Sequence, residues 1–176
     1  AAKRRKGGQK APPRQRVEAP TAKLEGAKGA VRGVAWPHPV AVYAAGFDRV
    51  VRMWDVKTQT NALILPCKAA ATSLSFGLDA NLIATGHTDK TICLWDPRQG
   101  QKEVMKLRLK SHKLWVTSLA WTRSFGPHKL ASTSHDGTLK IWDVRARDPL
   151  HTLAAHDGKG MAVTWWGSNM IASGGT

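Results

Sequence analysis

Leu130-Ala131-Ser132-Thr133-Ser134-His135-Asp136-Gly137-Thr138-Leu139-Lys140-Ile141-Trp142-Asp143 carries the pattern from which the architecture is read. Two short alternating runs flank an Asp-Gly step, a strong signal for a tight hairpin. The second run closes on Trp-Asp. The same arrangement stands twice upstream. Arg52-Met53-Trp54-Asp55-Val56 follows Ala44-Ala45-Gly46-Phe47-Asp48, and Cys93-Leu94-Trp95-Asp96-Pro97 follows Ala84-Thr85-Gly86-His87-Thr88-Asp89. The three Trp-Asp pairs lie 41 and 47 residues apart. An earlier strand ending in an aromatic precedes each hairpin, at 31–36, 72–76 and 116–121. A fourth unit opens with 161–166 and 170–174.

Units of about 40–45 residues, each with four short strands and Trp-Asp closing the third, are the mark of propeller blades. No helical period is evident. Blade one is expected at 31–36, 40–47, 50–56 and 60–66. Blade two is expected at 71–77, 81–87, 91–96 and 102–109, and blade three at 115–121, 129–134, 138–144 and 149–154. Residues 18–25 read as the outermost strand of a preceding blade. The fold class is therefore all-β, a partial WD-repeat β-propeller with three whole blades and parts of two more. A seven-bladed ring at this repeat length needs roughly 280–315 residues. An arc of blades leaves two sheet faces bare, an aggregation hazard. The sequence leaves open whether it is a fragment or is completed by a partner.

Composition agrees with a packed domain. The chain has 176 residues, 42% of them hydrophobic, and no apolar run near the roughly 20 residues of a membrane span. No secretion signal is evident at its start. Cys67 and Cys93 are its two cysteines and form no CxxC, so neither a disulfide scaffold nor a cysteine zinc site is expected. An intracellular protein with reduced thiols is the expectation. The 27 Lys and Arg against 12 Asp and Glu leave a net charge of +15, and residues 1–30 hold nine of those bases against two acids. Residues 1–16 read as a flexible basic segment and 17–176 as the partial propeller. The run Lys3-Arg4-Arg5-Lys6 suits a nuclear localisation signal, a nucleic-acid contact or a solvated linker.

In WD-repeat propellers a His in the loop leading into a blade, a Ser or Thr on the second strand, a turn Asp and the Trp form one hydrogen-bonded chain. Such a buried polar set is stable only when every member is paired. Blade three has His112, Ser132 (or Ser134), Asp136 and Trp142. Blade two keeps Thr85, Asp89 and Trp95, with Lys68 or Ala69 near the His position. Blade one keeps Asp48 and Trp54, with Ala27 in place of His and Ala44 on the second strand. Blade four offers His156 and Ser173. Repetition at blade spacing makes these groups structural, and the three tryptophans blade core.

Longer runs are more specific. These are Leu82-Ile83-Ala84-Thr85-Gly86-His87-Thr88-Asp89-Lys90-Thr91-Ile92-Cys93-Leu94-Trp95-Asp96-Pro97-Arg98 and Ser111-His112-Lys113-Leu114-Trp115-Val116-Thr117-Ser118-Leu119-Ala120-Trp121. His156-Asp157-Gly158-Lys159 and Ile171-Ala172-Ser173-Gly174-Gly175 join them. Over about residues 17–176 the chain resembles the C-terminal half of the WD-repeat subunits of Pescadillo–Bop–WD-repeat complexes. The resemblance implies a non-catalytic scaffold in nucleolar large ribosomal subunit assembly and rRNA processing. It implies Bop-family and Pescadillo-family partners, a pre-ribosomal particle, and a nuclear and nucleolar location. An upstream ubiquitin-like domain of that family has no counterpart here, and no metal-bridged contact is transferred.

Loop positions on a rigid scaffold are the usual place for binding. Arg49, His87, Lys90, Lys113, Trp115 and His135 are candidates on one rim. Lys106, Arg108 and Lys110 alternate with Leu107 and Leu109 on an expected outermost strand. That pattern suits edge protection, or contact with rRNA phosphate. Trp95-Asp96-Pro97-Arg98 and Trp142-Asp143-Val144-Arg145 resemble docking boxes of cullin–RING ubiquitin-ligase receptors, an alternative reading in which Arg98 and Arg145 dock. There is no P-loop, GxSxG, HExxH or paired-carboxylate loop, and His38, His128 and His151 stand alone, so neither catalysis nor a cofactor or metal is expected.

Overall fold

The structure is a computed structural model that describes residues 23–99, 105–122, 128–167 and 169–176. The basic run at Lys3-Arg4-Arg5-Lys6 and the rest of 1–16 lie outside the described residues. Among the described residues, fourteen strands build three four-stranded antiparallel sheets and one pair. Blade one is β1 (Val31–His38), β2 (Ala41–Gly46), β3 (Val50–Asp55) and β4 (Thr60–Pro66). Blade two is β5 (Ala71–Gly77), β6 (Leu82–His87), β7 (Thr91–Trp95) and β8 (Met105–Lys110). Blade three is β9 (Val116–Trp121), β10 (Lys129–Ser134), β11 (Thr138–Asp143) and β12 (Pro149–Ala154). β13 (Gly160–Trp166) and β14 (Met170–Gly175) form the fourth unit. A single 3-10 turn, Pro97–Gln99, is the helical piece among the described residues.

Each sheet is an up-and-down meander, and the first strands β1, β5, β9 and β13 lie side by side. Alternation along each strand sends one set of side chains to each neighbouring blade. Ile83, Cys93 and Trp95 therefore pack with Tyr43, Val51 and Leu65 between blades one and two. Leu82, Ala84, Ile92 and Leu94 pack with Leu119, Leu130 and Trp142 between blades two and three. Neighbouring blades are also pinned by polar bonds. Trp121 Nε1 donates to the Ser75 carbonyl at 3.2 Å, and the equivalent Trp165 Nε1 donates to the Ala120 carbonyl at 3.0 Å. Thr117 donates its hydroxyl to the Gly160 carbonyl at 2.7 Å, and Thr72 does the same to Val116.

Residues 23–25 form no strand, against the expectation of an outermost strand over 18–25; residues 18–22 lie outside the described residues. The segment instead turns in over blade one at Gly26 (φ 118°), where the Glu25 carbonyl accepts from Trp54 Nε1 at 3.0 Å. The leading face of blade one is open among the described residues. Val34 is 61% exposed while its repeat equivalents Leu119 and Val163 are 7% and 8% exposed, and Trp36 is 66% exposed against 7% for Trp121.

Inter-blade contact is tight where Gly77 meets the Trp121 ring: a Cβ on Gly77 would lie 2.7 Å from Trp121 Cδ2. Gly77→Ala is expected to lower stability by about 1–3 kcal/mol through overpacking. Urea denaturation followed by tryptophan fluorescence reads this as a lower midpoint.

Candidate functional site

Blade three holds the full polar chain. Trp142 Nε1 donates to Ser132 Oγ at 2.8 Å, and Ser132 Oγ lies 2.8 Å from His112 Nε2. His112 Nδ1 reaches Asp136 Oδ2 at 3.1 Å. Asp136 also accepts from the backbone N–H of Lys113 at 2.6 Å and from the Thr138 hydroxyl at 2.6 Å. Burial opposes ionisation of Asp136, but these donors and His112 hold its carboxyl well below the usual carboxylate range. Burial lowers the His112 pKa despite the nearby carboxylate, favouring neutral imidazole. A neutral ring that donates from Nδ1 to a carboxylate must accept at Nε2, so the Ser132 hydroxyl donates there. Ser134 stays outside the chain, donating instead to the Leu114 carbonyl at 3.1 Å.

Blade two rebuilds the chain from a different residue. Trp95 Nε1 donates to Thr85 Oγ1 at 2.7 Å, and Thr85 Oγ1 lies 2.8 Å from His87 Nε2. His87 Nδ1 meets the Ala69 carbonyl at 3.2 Å. His87 is therefore 2% exposed inside the blade and is no rim group, which corrects its reading as a partner-binding residue. The missing His at Lys68 and Ala69 was the sequence signal for this substitution. Asp89 serves its own turn, accepting from the Thr91 hydroxyl at 2.6 Å.

Blade one has neither hydroxyl nor imidazole in the chain. Trp54 uses the Glu25 carbonyl, and the Arg52 guanidinium pairs with Asp48; both of those side chains are buried. Asp48 also accepts from Lys28 N at 3.1 Å. Sequence reading did not single out Arg52, a cation on the third strand opposite Ala44. In blade four His156 Nε2 lies 3.1 Å from Ser173 Oγ.

The remaining candidates are surface groups. Arg49 and Lys90 are exposed at hairpin turns, with φ of 61° and 72°. Lys113 is exposed, and Trp115 stacks on half-buried His135 with ring centroids 5.7 Å apart and 19° between planes. On β8, Lys106 and Lys110 are exposed, Arg108 is half-buried, and Leu109 enters the core between blades two and three. In the two Trp-Asp boxes the arginines fold back on their own aspartates: Arg98 meets Asp96 at 2.8 and 2.7 Å, and Arg145 meets Asp143 at 2.9 and 2.5 Å. The Arg145 side chain holds the Asp143 carboxyl down to about 2. No group of three His, Cys, Asp or Glu among the described residues is placed to hold a metal ion.

The model of the WD domain, G-beta repeat, matches residues 18–55, 62–96 and 103–143. The chain belongs to the WD-repeat family. It is 33% identical over 98% of its length to the ribosome biogenesis protein WDR12 homolog of Arabidopsis thaliana, covering 40% of that protein. It is 37% identical to the homolog of Nematostella vectensis over 84% of its length, covering 35% of that relative. Ribosome biogenesis protein YTM1 of Yarrowia lipolytica is 33% identical over 91% of the chain, with 34% of that protein covered. The chain thus spans well under half the length of these curated relatives. Among solved structures, U3-55K superposes with a TM-score of 0.77 at 23% identity, over 85% of this chain and 47% of that one. The computationally designed Ika4 protein superposes with a TM-score of 0.72 at 25% identity, over 86% of this chain and 89% of Ika4.

Two expectations follow for this WD-repeat chain. Asp136→Ala removes the acceptor of His112, Lys113 N and Thr138 and should cost about 3 kcal/mol, since it strands buried donors. Asp89→Ala, whose partner is Thr91 in the same turn, should cost about 1 kcal/mol. Thermal melting of both variants checks the difference. The second concerns pH. Burial lowers the pKa of both His87 and His112 in the folded state, so the unfolded chain binds more protons near pH 6.5. Stability should therefore fall as pH drops through about 6.5. The lowered Asp136 works in the same direction below about pH 4. Urea midpoints at pH 7.5 and 5.5 should differ, and His112→Gln should flatten that difference.

Proposed function

We propose that this chain is a non-catalytic propeller scaffold in assembly of the large ribosomal subunit. In this reading it works in the nucleolus during processing of rRNA precursors. The observation that carries the reading is the match over nearly the whole chain to proteins named for ribosome biogenesis, from a plant, an animal and a fungus. The scaffold role rests on the structural use of every buried His and Asp in the polar chains. Each of these groups already has its partner within a blade, so none is left aimed at a substrate.

The partners proposed are Bop-family and Pescadillo-family assembly proteins. The contact surface proposed is the rim at Arg49 and Lys113. The ubiquitin-ligase alternative is less well supported, because Arg98 and Arg145 are engaged by Asp96 and Asp143. Affinity purification of the tagged chain from nuclear extract tests the reading. Enrichment of large-subunit assembly factors, with Bop and Pescadillo proteins among them, is the expected result. Enrichment of cullin adaptors without those factors would refute it.

A further inference from the structure

We infer that the outer strand of blade two and the loop that follows it form a binding track for single-stranded RNA. The backbone phosphates lie on the cations of β8 and one base stacks at the Trp115–His135 pair. The inference goes beyond the scaffold reading and needs only the geometry of this chain.

The first observation is a pair of joined clefts. One, of about 420 Å³, is lined by Lys106, Arg108, Lys110 and Arg147, with Asp148 as its acid. The second, of about 470 Å³, is lined by Lys90, Arg108, Lys110 and His112, with Asp89 as its acid. Arg108 and Lys110 belong to both, so the positive lining runs from the β11–β12 turn at Arg147 up to the rim at Lys90. Side chains two apart on a strand stand roughly 6.6 Å apart. That rise places Lys106, Arg108 and Lys110 in single file at a spacing close to successive phosphates of an extended nucleic-acid strand.

The second observation lies where the track ends. After Lys110 the chain passes over the rim through Ser111, His112 and Lys113 to Trp115, the residue before β9. Trp115 is 45% exposed and its ring is held by the stack on His135, so less rotamer freedom is lost when a base packs on it. Cations in file leading to a flat aromatic are the two parts of a single-strand site: a charged groove for the backbone and a stacking platform for a base. An acidic peptide would use the cations but has no need of the platform. A duplex keeps its bases stacked internally and would likewise leave Trp115 unused.

The 176-residue chain is titrated with a fluorescently labelled twelve-nucleotide uridine oligomer, and anisotropy is followed over a range of salt. Lys106→Gln, Lys110→Gln and Arg147→Gln together should weaken binding at least tenfold. They should also lower the slope of log affinity against log salt by about 2, at about 0.7 per lost phosphate contact. Trp115→Leu should weaken binding about tenfold with the slope unchanged, and Trp115→Phe, which keeps a flat ring, should restore it. The basic segment 1–16 is present in every variant, so the differences report the track alone. Wild-type affinity and slope in the triple variant would overturn the proposal. So would equal affinity of the Leu and Phe variants, or competition by polyglutamate or duplex RNA as effective as by the single strand. Because the measurement uses purified chain and RNA, its failure leaves the co-purification result standing, and the reverse holds as well.

Discussion

A buried indole N–H needs an acceptor, and the rest of each blade is arranged around supplying one. Trp142 and Trp95 are buried in inter-blade cores, where an unpaired donor costs on the order of 1–3 kcal/mol. Each therefore brings a hydroxyl with it, Ser132 or Thr85, and each hydroxyl needs an acceptor of its own. The imidazole fills that place, and its second nitrogen must then donate to a carboxylate or a carbonyl. The direction of every proton in the chain follows from the first bond. Trp54 ends the chain at once by donating to a backbone carbonyl, so no hydroxyl or imidazole is needed behind it in blade one.

Repetition of this constraint sets the geometry between blades. Once the Trp of the third strand faces the preceding blade, alternation sends Leu94 and Ile141 to the other side, where the next blade covers them. The inner strands are then close enough for Trp121 and Trp165 to bond to the carbonyls of the blade before. Trp36 holds the same repeat position at the open face, and its exposure shows how much of that burial a neighbouring blade supplies. The rigid stack presents its turns and its outer strands to solvent. On blade two those are the positions that carry Lys90, Lys106 and Lys110.

Much of the fold was legible because propeller strands are local. Each pairs with its sequence neighbour through a short turn, so period-two alternation and turn residues suffice to place them. Expected boundaries differ from observed ones by a few residues, as where β8 runs on to Lys110. Residues 23–25 lie outside any strand and are tied instead to Trp54, 29 residues away in the chain, while residues 18–22 lie outside the described residues.

The polar chain shows where sequence stops. Residue types at blade spacing were enough to name His112, Ser132, Asp136 and Trp142, with Ser134 as a rival two residues on; alternation puts both hydroxyls on one face, and only packing separates them. A missing entry-loop His marks a vacancy in the sequence, but it does not say that His87 or Arg52 fills the place, for a related reason. Both occupy vacancies left by absent residues, and which side chain fills a vacancy depends on distance in space. Composition and periodicity determined the strands, their order and the tryptophan core, since these follow from local chain geometry. The tertiary structure alone decided which histidine turns inward and which aromatic stays open to solvent, because those outcomes are set by contacts between blades.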